Sequence, residues 1–74
     1  MDDDAHMAFG TVLAVLARLF ERNGLCSTME FANMIGNAAL ATSEAGPEYK
    51  VRGEYIGAWA HCVLSVAKSA PIQH

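Results

Sequence analysis

Cysteine and basic residues are both scarce in this 74-residue chain, and each scarcity closes off a class of function. The only cysteines are Cys26 and Cys62, too few for a disulfide framework, and no CxxC or HxxxH spacing offers a zinc site. His61 and Cys62 are adjacent, which on a helix turns them about 100° apart and keeps them from sharing one ion. The metal set is read as none. The five bases (Arg18, Arg22, Lys50, Arg52, Lys68) are scattered, a poor patch for nucleic-acid phosphates or an anionic membrane surface. A glycine-rich phosphate loop, a serine–histidine–acid set and paired carboxylates on an apolar face are all missing, so no catalytic or cofactor-binding residue is assigned. From Ala5 to Ala17 the only ionisable side chain is His6, yet this run is too short to span a bilayer. The acidic start is unlike a secretory signal peptide, and the expectation is a soluble cytoplasmic protein that is not an enzyme.

Hydrophobic residues are what the chain has in excess. They make up 53% of it without counting glycine, against roughly 45–50% with glycine in an average globular chain. A monomer this small buries only about 60% of its unfolded surface. Alanine absorbs part of the surplus by packing helices closely. The remainder implies an exposed apolar face, and such faces mark partners, a second copy first among them. The net charge of −3 is carried by Asp2, Asp3 and Asp4, because the other five acids balance the five bases. The chain reads as one helical domain over 1–74, with an acidic leader at 1–3 and a loose tail at 70–74.

The fold class is all-α, a small three-helix bundle with helices at about 4–23, 28–43 and 47–69, dimerising into a larger helical bundle. Asp4 is a fitting N-cap for the first helix. Its stripe of Phe9, Val12, Leu13, Leu16, Leu19 and Phe20, widened by Met7 and Val15, predicts a helix covered on most sides. Asn23-Gly24 ends it with a left-handed cap that folds Leu25 back. Ser27-x-x-Glu30 then has capping-box spacing, with Cys26 and Phe31 placed as the staple. In the second helix Phe31, Met34, Ile35 and Ala38 form a core face, and Gly36 thins the middle. Gly46-Pro47 starts the third, with proline at its first position. Lys50, Glu54, Gly57, His61, Ser65 and Lys68 make one narrow polar stripe there, and the rest is largely apolar.

Each candidate site also has a structural reading. Gly53-x-x-x-Gly57 serves packing inside the bundle or a crossing between subunits. Cys26 before a helix start could be a reactive thiol, but its place in the staple accounts for it. Met7, Met29 and Met34 could line an adaptable groove or simply fill space. The tight turn evokes a helix–turn–helix DNA reader, but the second helix has Asn33 and Asn37 and no base to read DNA. These signals carry no family resemblance. The reading is an adaptor or regulator acting through protein–protein contacts as a homodimer. Its interface is expected on helix 3 at Tyr55, Ile56, Trp59, Val63 and Val66, aided by the apolar flank of helix 1. The alternative is a stoichiometric inhibitor, mobile-element-encoded, whose acidic leader docks on a basic partner.

Overall fold

The computed structural model describes residues 2–69, and these form three helices with no strand among them. Helix α1 covers Asp3–Arg22, α2 covers Thr28–Glu44 and α3 covers Lys50–Ser69, the last entered through a 3-10 turn at Pro47–Tyr49. Met1 and the expected loose tail at 70–74 lie outside the described residues.

Helix α1 starts one residue earlier than the sequence suggests. Asp2, not Asp4, is its N-cap, because Asp2 Oδ1 accepts from the Ala5 backbone N–H at 2.7 Å. Asp3 and Asp4 therefore fall in the first turn, where their charge suits the positive helix end. The far end closes as anticipated. Gly24 takes φ +74°, its N–H donates to Glu21 O, and the Leu25 N–H donates to Phe20 O. That pair of bonds is a Schellman motif, and glycine supplies the left-handed residue it requires.

The capping box of α2 is complete. Ser27 Oγ accepts from the Glu30 N–H at 3.0 Å, and Glu30 Oε1 accepts from the Ser27 N–H at 2.8 Å. α2 runs one residue past the expected end, to Glu44. Pro47 sits at the start of the 3-10 turn, so proline opens the third segment but the α-helix itself begins at Lys50.

Helix α3 is the middle of the molecule. It packs most extensively on α2, less on α1, and α1 and α2 touch least. Small residues set these distances. A Cβ on Gly53 would collide with Ser43 Oγ and lie 3.0 Å from the Ala39 carbonyl, so α2 approaches α3 almost to backbone contact. Gly57 faces Ala39 on the same seam. On the other side a Cβ on Gly10 would meet Cys62 Sγ at 2.8 Å. The core is correspondingly thin. Val63 and Ala17 are wholly buried with Ala32, and Leu13, Phe31, Ile35 and Leu64 pack around them. The outline is a slab of 45 × 24 × 17 Å with a radius of gyration of 13.0 Å, against about 11 Å for a compact chain of this length.

Candidate functional site

Helix α1 turns its small side inward. Gly10, Ala14 and Ala17 are its buried residues. Phe9, Val12, Val15, Leu16 and Leu19 are all exposed, with Val12 at 52% and Val15 at 55%. At 100° per residue Val12, Val15, Leu16 and Leu19 lie on roughly the opposite side of the helix from the buried three, with Phe9 at the edge of that side. The expectation of a first helix covered on most sides is therefore overturned. Its large apolar residues face outward because the small ones allow α1 to approach α3, where Gly10 meets Cys62. Phe9, Val12, Leu16 and Leu19 follow three-, four- and three-residue steps, the a/d spacing of a helix that meets another helix along a seam.

Two polar contacts anchor this face. At the start of α1, Trp59 Nε1–H donates to the His6 carbonyl at 3.1 Å. The His6 ring lies 5.1 Å from Tyr55 and 5.2 Å from Trp59, and Phe9 meets Trp59 edge-on at 4.5 Å. Such aromatic contacts add to area burial and fix the angle of α1 on α3. At its end, Glu21 Oε1 accepts from both the Thr28 N–H, at 3.1 Å, and the Thr28 hydroxyl. Thr28 is itself buried. These bonds from Thr28, the hydroxyl first, hold the Glu21 carboxyl below the ordinary glutamate value, with a smaller contribution from Arg18. Phe20 and Phe31 meet at 5.4 Å beside the same joint. The strip is thus presented on a helix pinned at both ends.

The residues expected at an interface fall in different places. Val63 is fully enclosed in the chain's own core. Tyr55, Ile56, Trp59 and Val66 are half-buried, with Tyr55 and Trp59 occupied by His6 and Phe9. On α3 the large hydrophobic left broadly open is Val51, at 61%. Gly53 and Gly57 are spent on α2. Exposed large hydrophobics are thus most numerous on α1, although Leu25 in the turn and Met34 and Leu40 on α2 are open as well. Sorting α1 by side-chain size, with glycine and alanine at 10, 14 and 17 against bulky residues at 9, 12, 16 and 19, is the signal that locates the α1 strip.

Between α1 and α3 an open, mainly apolar groove of about 350 Å³ runs past Met7, Gly10, Ala14, His61 and Cys62. Cys26 and Cys62 are free thiols. Among the described residues no three of His, Cys, Asp and Glu gather as metal ligands, and no helix is long and apolar enough to cross a membrane. No protein-family model, curated protein or solved structure matches the chain.

Proposed function

We propose that this protein is a non-catalytic cytoplasmic adaptor or regulator that works through protein–protein contact as a homodimer, with the outer face of α1 as its docking surface. The observation that carries this reading is the strip Phe9, Val12, Val15, Leu16 and Leu19, exposed to water on a helix whose two ends are tied down. Contiguous apolar surface of this kind raises the free energy of a lone chain and is relieved by a complementary surface. A second copy supplies one in the commonest closed symmetry. The inhibitor reading has less to stand on, because the Asp2 carboxylate is already engaged by the Ala5 N–H.

Leu16→Glu tests the reading. It places a charge in the centre of the strip without touching the core, so the chain should remain helical by circular dichroism and sediment as a monomer. Val51→Glu, on a still more exposed residue of α3, should leave the mass of the native assembly unchanged. If both variants keep the native mass, the docking surface lies elsewhere.

A further inference from the structure

The strip on α1 carries charge at both ends, and the signs differ. Asp2, Asp3 and Asp4 stand at its start, Arg18 and Arg22 in its last turns. Arg18 lies 4.0 Å from Glu21 in its own chain, while Arg22 makes no ion pair among the described residues. Asp4 and Arg22 are eighteen residues apart, which is five turns at 3.6 residues per turn. They therefore share one flank of the helix, beside the apolar strip.

This arrangement separates the two ways a second α1 could lie along the first. In a parallel pair the aspartates of both copies would crowd at one end, the arginines at the other, and the helix dipoles would align. In an antiparallel pair every one of those terms changes sign. Phe9 and Leu19 are equally far from Ala14 on either side, as are Val12 and Leu16. An antiparallel copy centred at that level sets Phe9 against Leu19 of the second copy and Val12 against its Leu16. Val15 then faces Val15 of the second copy next to the two-fold axis. On the shared flank Asp4 comes level with Arg22 of the second copy, offset by only about 3 Å along the axis at 1.5 Å per residue.

We propose that a second copy of this chain packs antiparallel, α1 on α1, about a two-fold axis at the level of Ala14 and Val15, with Asp4–Arg22 pairs closing both ends. The proposal rests on the reading that the outer face of α1 is the docking surface. The paired strip extends along a helix about 30 Å long, which places it at the small end of specific interfaces. The apolar seam supplies affinity, and the end charges supply orientation.

Cysteine cross-linking in a Cys26→Ser, Cys62→Ala chain reads the orientation directly. Val15→Cys should oxidise readily to a disulfide-linked dimer. Phe9→Cys alone should not, whereas mixing Phe9→Cys with Leu19→Cys chains should give the mixed dimer. Efficient self-linking of Phe9→Cys means a parallel pair and overturns the proposal while leaving the dimer reading intact. A native chain that sediments only as a monomer overturns both. In the otherwise native chain Arg22→Glu should weaken association by roughly two- to five-fold for each of the two end pairs. Adding Asp4→Lys should restore it, and an Arg22→Glu chain with unchanged association overturns the end pairing.

Discussion

Glu21 shows how much one side chain contributes to this architecture. Its carboxylate receives the backbone N–H and the hydroxyl of Thr28, so the last turn of α1 and the first turn of α2 share a single acceptor. These bonds are stronger to the charged form, and they lower its pKa in the folded chain from the ordinary value of 4.5. The stabilisation is therefore complete above that value and is lost as the pH falls through the lower, folded one. Glu21→Gln should remove this acid-side loss, so the native and variant melting temperatures should converge as the pH falls from 4.5 through the lowered folded value. A gap that stays constant through that range would mean that the carboxylate charge plays no part in the joint. The caps follow a similar logic. Asp2→Ala and Ser27→Ala should each cost about 1 kcal/mol in chemical denaturation, since each releases a helix-end N–H to water. An acidic leader dispensable for folding follows from reading Asp4 as the cap. With Asp2 in that place, deleting Asp2 should carry the cap's cost.

At the scale of the elements, the contacts between helices are set by glycines that differ in what surrounds them. Gly53 has no room for a methyl group, with Ser43 Oγ and the Ala39 carbonyl both inside van der Waals distance of a Cβ. Gly36 sits mid-helix, where an added Cβ would lie 4.0 Å from Ala60 Cβ, an ordinary contact. Gly53→Ala should therefore destabilise by about 1–3 kcal/mol through overpacking. Gly36→Ala should stabilise by about 0.5–1 kcal/mol through helix propensity. Denaturant midpoints of the two variants moving in the same direction would contradict this account of the α2–α3 seam. The same elements show what could be read from sequence. The turn at Asn23–Ser27 and the start of the third segment were legible because a glycine cap, a capping box and a proline act within a few residues of themselves. The burial of each face was not. Periodicity identifies Phe9, Val12, Leu16 and Leu19 as one stripe but assigns it no partner. Small residues at 10, 14 and 17 compete with that stripe for α3 and win, because close approach gains contact along the helix and the Trp59 bond to His6 besides. Val63, one of the residues expected at an interface, is instead enclosed in the chain's own core.

At the scale of the molecule, a thin core and an apolar outer strip belong to one design. With Val63, Ala17 and Ala32 as the buried cluster, a lone chain has little hydrophobic stabilisation to set against its conformational entropy. Pairing α1 with a second copy would bury Val12, Val15, Leu16 and Leu19 and couple stability to association. The melting temperature should then rise with protein concentration. In Leu16→Glu it should be lower and independent of concentration. The most direct measurement is sedimentation equilibrium of the native chain from about 1 to 100 µM. The weight-average mass should climb toward twice the 7.9 kDa of the single chain. A mass that stays at 7.9 kDa across the whole range would contradict it.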